Sequence, residues 1–234
     1  MTVMDEVEKL IGTLQFGSVE ERKEAAIRLG TVMKDARTVE PLINALGDAD
    51  SDVRYWAARA LREQGDESAA EPLIVALKDD EPNVRGKAAE ALGEIKDAKA
   101  VGLLIGMLKD DSTPLNRSVR GHAAIALGNL KDARAVGPLI EALSCADSWV
   151  HMYAAEALGK IGEPAVKPLI AEAAKPEKKA LRGTISGILR KIDEGMREKP
   201  RDLGCVENER LKPPEIPPEF QRLVLRDVPK AKIA

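Results

Sequence analysis

The scarce side chains of this 234-residue chain are two histidines, two cysteines, two tyrosines and two tryptophans. Site chemistry would have to start from them. His122 is followed by Ala123 and His151 by Met152, so neither forms a His-Glu step. Cys145 and Cys205 are too few and too far apart for a disulfide framework or a zinc knuckle. No glycine loop for phosphates, no nucleophile elbow and no zinc spacing occurs in the chain. The expectation is therefore no catalytic residue, no metal and no cofactor.

What remains is the chemistry of an interface. Tyr55, Trp56, Arg59, Lys87, His122, Trp149 and Tyr153 are the candidate partner-binding residues. Trp, Tyr and Arg are the usual anchors of protein interfaces, each worth ~2 kcal/mol or more when central. Scattered over a hundred residues, they can act together only if a repeat brings them to one face.

Such a repeat is present. Leu-Ile pairs stand at Leu10-Ile11, Leu42-Ile43, Leu73-Ile74, Leu104-Ile105, Leu139-Ile140 and Leu169-Ile170, in steps of 32, 31, 31, 35 and 30 residues. Ala-Ala pairs follow in the same register at Ala25-Ala26, Ala57-Ala58, Ala88-Ala89, Ala123-Ala124 and Ala154-Ala155. Each copy reads as two short helical patterns joined by a turn. A pair of that size cannot bury its apolar stripe alone, so copies must stack. The expected fold is all-α, a right-handed solenoid of six helical hairpins over residues 1–196, followed by a Pro-rich tail over 197–234.

Details of the copies support that reading. Pro41, Pro72, Pro138 and Pro168 share a column that suits the first turn of the first helix, where a missing N–H matters least. Ser and Asp in the acidic turns are N-caps for the second helix. Val53, Ala57 and Leu61 recur at helical spacing as a buried stripe. Arg22, Arg54, Arg85 and Arg120 share a column that ends in His151, and the turns carry Asp48, Asp79, Asp110 and Asp147. An Arg–Asp ladder between copies is expected, with His151 as a weaker rung. Four extra residues within 112–117 lengthen one loop, and the last copy loses the signature, as a polar end cap would.

Composition agrees. Hydrophobic residues make up 44% but aromatics only 3%, so the core must be Ala, Leu, Ile and Val. A net charge of −3 lacks the basic excess of a general polyanion binder, which argues against nucleic acid. The acidic opening residues and the shortness of every apolar run point to no signal peptide and no membrane span. A cytoplasmic protein with reduced cysteines is expected. Beyond about residue 196, Pro200, Pro213, Pro214, Pro217, Pro218 and Pro229 favour extended backbone. Phe220, Leu223, Val224 and Leu225 form the tail's one strongly apolar stretch. It reads as a flexible tail, as a segment docked on the solenoid, or as a dimerisation contact.

The phrases DESAAEPLIVALKDDEPNVRGKAAEALGEI (66–95) and DARAVGPLIEALSCADSWVHMYAAEALGKI (132–161) closely resemble the HEAT-like repeats named after phycobilisome lyases. The resemblance covers about residues 4–193. It implies that the second helices line a concave face, with the residues beside each Ala-Ala pair pointing outward. Family members include bilin lyase subunits and deoxyhypusine hydroxylase. The hydroxylase holds two irons on His-Glu steps, which this chain lacks. A bilin lyase-like role is the alternative function, with His122, Tyr153 and Arg59 as polar contacts to a tetrapyrrole. The main expectation is a non-catalytic scaffold that grips a protein or peptide in its concave groove.

Overall fold

The computed structural model describes residues 3–31, 34–110 and 116–198. Twelve α-helices fill them, and no strand occurs among the described residues. They pair as α1 (Val3–Phe16) with α2 (Val19–Thr31), α3 (Val39–Ala45) with α4 (Ser51–Gln64), and α5 (Ala70–Ala76) with α6 (Pro82–Ile95). Next come α7 (Val101–Lys109) with α8 (Asn116–Leu130), α9 (Val136–Ala142) with α10 (Ser148–Ile161), and α11 (Glu163–Ala174) with α12 (Arg182–Glu198). Six hairpins therefore stack in order, as the repeat predicts. Most of the insertion at 112–117 and the whole tail beyond Glu198 lie outside the described residues.

The core follows the repeat columns. Leu42, Leu73, Leu104, Leu139 and Leu169 of the first helices are fully buried, as are Leu29, Leu61, Leu92, Leu127 and Leu158 of the second. Each such leucine contributes about 1.5–3 kcal/mol of apolar burial. Between them lie the small residues, Ala57-Ala58, Ala88-Ala89 and Ala123-Ala124, also fully buried. Small side chains let successive second helices approach closely. A Cβ added at Gly93 would stand 2.8 Å from Ala126 Cα, and one at Gly128 2.7 Å from Ala157 Cα.

The Asp that opens each repeat phrase has a local job. Asp35, Asp66, Asp97 and Asp132 each accept a hydrogen bond from the backbone N–H two residues on. Each caps a three-residue 3-10 turn that runs directly into the short α-helix. Pro41, Pro72 and Pro138 then fall within the first α-helical turn, where no intrahelical N–H bond is lost. Pro168 departs from the column: α11 begins earlier, at Glu163, so this proline falls inside the helix and not in its first turn. Asp132→Ala should cost about 1 kcal/mol in urea unfolding, the usual value of a lost cap. A loss below a few tenths would mean that the turn is held by packing alone.

The Arg–Asp ladder is found in its first two rungs and corrected in the next two. Arg22 Nε donates to Asp48 Oδ2 at 2.7 Å and Nη2 to Oδ1 at 2.9 Å. Arg54 repeats the fork on Asp79 at 2.7 and 2.8 Å. The hydrogen bonds from Arg22 hold the Asp48 carboxyl below its usual range. At the third rung Arg85 reaches Asn116 Oδ1 at 2.9 Å, and Asn116 Nδ2 in turn donates to Asp110 at 2.9 Å. Asn116 follows the inserted residues, so an amide relays the contact. At the fourth, Arg120 donates to Leu108 O at 2.9 Å and meets Cys145 Sγ at 3.5 Å. Cys145 occupies the turn position of Asp48 and Asp79, while Asp147 caps α10 through Trp149 N and Val150 N and pairs with Arg117. His151 does end the ladder, with Nδ1 2.8 Å from Leu143 O. That Nδ1 must carry the proton, because a carbonyl only accepts.

The last hairpin closes the stack. Ile185, Ile188, Leu189 and Ile192 of α12 are buried at helical spacing, while Arg190, Lys191 and Glu194 face out. No helix among the described residues is long and apolar enough to cross a membrane.

Candidate functional site

The seven candidate residues all stand on second helices: Tyr55, Trp56 and Arg59 on α4, Lys87 on α6, His122 on α8, and Trp149 and Tyr153 on α10. The structure brings five of them into one connected cluster. Tyr55 and Trp56 meet edge-to-face with centroids 5.3 Å apart. The Arg59 guanidinium lies 4.8 Å from the Trp56 ring centre, and Lys87 Nζ 5.5 Å from that of Tyr55. Both distances are within cation–π range.

The residue that ties the cluster together is Glu90, on α6. Its carboxylate accepts from Lys87 Nζ at 2.7 Å and from Arg62 Nη1 at 2.8 Å, both on Oε2. Its other oxygen accepts from His122 Nε2 at 3.0 Å. Nε2 must therefore carry a proton, which leaves Nδ1, 3.3 Å from Ser118 Oγ, to accept when the ring is neutral. Burial pushes the Glu90 carboxyl up, but hydrogen bonds from His122 and Lys87 and their charges outweigh it. The result is a pKa lowered to about 2.

Sequence reasoning placed Glu90 in the outward column beside the Ala-Ala pair but did not single it out. Arg62 was missed as well. A signal existed: Gly30, Gly93, Gly128 and Gly159 follow the repeat leucine, and Arg62 alone breaks that column among the five.

Trp149 and Tyr153 form a second aromatic pair, with centroids 5.2 Å apart and planes at 44°. The two groups adjoin through glycines. A Cβ at Gly121 would lie 3.2 Å from the Tyr153 ring, and one at Gly86 2.7 Å from His122 Nδ1. Gly86 and Gly121 are thus buried beneath the next copy's side chain. The outer column continues as polar links, Asn129 to Glu94 at 3.0 Å, Lys160 to Asn129 at 3.1 Å and Lys160 to Glu156 at 3.0 Å.

At one end of the face a cleft of about 420 Å³ opens between α2 and α4. Trp56, Arg59 and Glu63 form one wall, Ile27 and Thr31 the other, and Gly30 closes the floor against Ala60, where a Cβ would stand 3.0 Å from Ala60 Cα. The order Ser118–His122–Glu90 superficially matches a nucleophile, base and acid. Lys87 and Arg62 share the same carboxylate, however, which draws off the charge it would lend the imidazole. Among the described residues no group of three or more His, Cys, Asp or Glu side chains is placed to hold a metal. The geometry suits recognition: flat rings, paired charges and an open cleft on one surface.

Comparison with known proteins places this architecture. The HEAT repeats family matches residues 7–80, 39–118 and 115–187. No curated protein sequence matches the chain. Among solved structures, the complex of CpcE and CpcF of phycocyanin lyase from Nostoc sp. PCC7120 is similar at 24% identity, with a TM-score of 0.63 over 86% of this chain and 90% of that one. An engineered protein is similar at 24% identity and a TM-score of 0.53, over 81% of this chain and 97% of its own. A designed armadillo repeat protein follows at 18% identity and a TM-score of 0.51, over 80% and 99%. At these identities the likeness is one of fold.

Proposed function

The chain belongs to the HEAT-repeat family, and from that premise we propose that it is a non-catalytic scaffold gripping a partner protein or peptide. The grip is on the exposed surface of the second helices, the concave side of a superhelix of this kind. One observation carries the reading. A chain with only two tryptophans and two tyrosines puts all four on that surface, in pairs, with cations stacked on one pair. Rigid rings beside fixed charges offer apolar anchors and orientation at low entropic cost. The partner it fits presents apolar side chains or an extended segment together with charges of both signs.

The test is affinity capture from the native lysate with wild type beside a Trp56→Ala/Tyr153→Ala variant of matching circular dichroism. Wild type should retain a partner that the variant loses at least tenfold, as removal of anchors implies. Identical partners in both samples would move the interface off this face. A bilin added to the purified protein should leave its spectrum unchanged; a shifted band would favour a lyase-like role.

A further inference from the structure

We propose that the chain's own proline-rich segment, residues 213–220, docks on the Trp149–Tyr153 surface of α10. This proposal needs no partner, but it occupies Trp149 and Tyr153, two of the rings that the scaffold reading gives to a partner, and its test is run on the chain alone.

The two aromatic pairs differ in one respect. In α4 the indole of Trp56 is half-buried, faced by Arg59 and edged by Tyr55. In α10 Trp149 is 55% exposed and Met152, one turn on, 50%. The rings of Trp149 and Tyr153 touch at a tilt, so the apolar surface on offer is the outer side of the exposed Trp149 indole, with Met152 on the next turn. A pyrrolidine ring can stack on such an exposed aromatic face.

The chain carries the matching ligand. Residues 213–220 read PPEIPPEF. Such a run favours polyproline II, whose backbone is extended before binding and loses little entropy on docking. Pro214 and Pro217 are three residues apart, so they share one edge of that helix, about 9 Å apart. Aromatic-lined surfaces take proline-rich segments by this edge.

Charge agrees. Glu215 and Glu219 alternate with the prolines. Lys178 and Lys179 stand in the turn before α12. Lys178 Nζ donates to Ser144 Oγ at 2.8 Å, in the turn that precedes Trp149. The turn therefore contacts the segment that leads into α10; Lys178 also pairs with Glu172 at 3.6 Å, which leaves Lys179 as the cation for Glu215 or Glu219.

The linker reaches. His151 Nε2 lies 3.4 Å from Thr184 Oγ1, so α10 and α12 run side by side from their N-terminal ends. From Glu198, at the far end of α12, the return to Trp149 is about 25–30 Å at a rise of about 1.5 Å per residue plus one interhelix step. Residues 199–212 can span up to about 46 Å.

The test uses the full chain alone, at low concentration, with Phe220→p-benzoylphenylalanine and an equal mixture of ¹⁴N and ¹⁵N protein. Irradiation should link position 220 to the peptide holding Trp149, Met152 and Tyr153, within single-isotope chains. Trp149→Ala should lower that yield about tenfold, as for a central aromatic anchor. Replacing Pro213, Pro214, Pro217 and Pro218 by Ser should do the same. Met152→Lys, at an exposed position, repeats the test with both rings kept. Links to another surface, mixed-isotope links or no link at all would each overturn the proposal. Mixed-isotope links would assign the segment to a second copy.

Discussion

Glu90→Gln is expected to cost about 2–3 kcal/mol at pH 7, and progressively less as the pH falls. Glu90 is mostly buried, at 13% side-chain exposure, and takes hydrogen bonds from Lys87, Arg62 and His122. Its pKa falls from 4.5 to about 2 in the folded chain, against the upward push of its own burial. The group is therefore more acidic folded than unfolded. Its stabilisation is fully present above about pH 4.5 and is lost as the pH drops through about 2. A shift of that size corresponds to about 3 kcal/mol. The neutral amide keeps the shape but gives up the charge that holds three cationic or polar donors. Urea unfolding of wild type and variant at pH 7, 4 and 2.5 checks this: the gap should narrow steadily with acid. The control is Glu156→Gln, whose surface pair with Lys160 should be worth under about 1 kcal/mol. Equal stability of Glu90→Gln and wild type at pH 7 would show that the hub is electrostatically idle.

The second large effect concerns one column of glycines that should answer the same substitution with opposite signs. At Gly128 a Cβ would stand 2.7 Å from Ala157 Cα, and at Gly93 2.8 Å from Ala126 Cα. Backbone atoms cannot yield as a flexible side chain does, so Gly128→Ala must push α8 and α10 apart. Overpacking of this kind costs about 1–3 kcal/mol. At Gly159, the next copy's equivalent, a Cβ meets nothing within 4 Å. There the gain in helix propensity stands alone, and Gly159→Ala should stabilise by up to about 1 kcal/mol. By repeat register, the residue of α12 equivalent to Ala157 is the buried Ile188. Thermal unfolding of the two variants is a direct comparison; destabilisation of both would mean that α12 packs as closely as the inner helices.

These two predictions mark the boundary between what was legible in the sequence and what was not. The repeat period, the helix pairs, the leucine and alanine columns and the placement of seven candidate residues on second helices follow from spacing. A helix turns every 3.6 residues whatever its neighbours, so periodicity alone decides which face is buried. The ladder was legible at Arg22–Asp48 and Arg54–Asp79. It was misread at Arg120, where the turn keeps its length but Cys145 stands in the position of Asp48 and Asp79 and Asp147 in that of the N-cap.

What only the tertiary structure decided are contacts between side chains of adjacent helices. Glu90 becomes a hub because Arg62, Lys87 and His122 come from three helices to one carboxylate. Asn116 relays Arg85 because inserted residues change the turn. Gly128 is closed against Ala157 while Gly159, in the same column, is open. Each depends on the distance between helices, which is set jointly by every side chain at the contact. A one-dimensional pattern specifies direction around a helix axis; the spacing between two axes is a property of the packed pair.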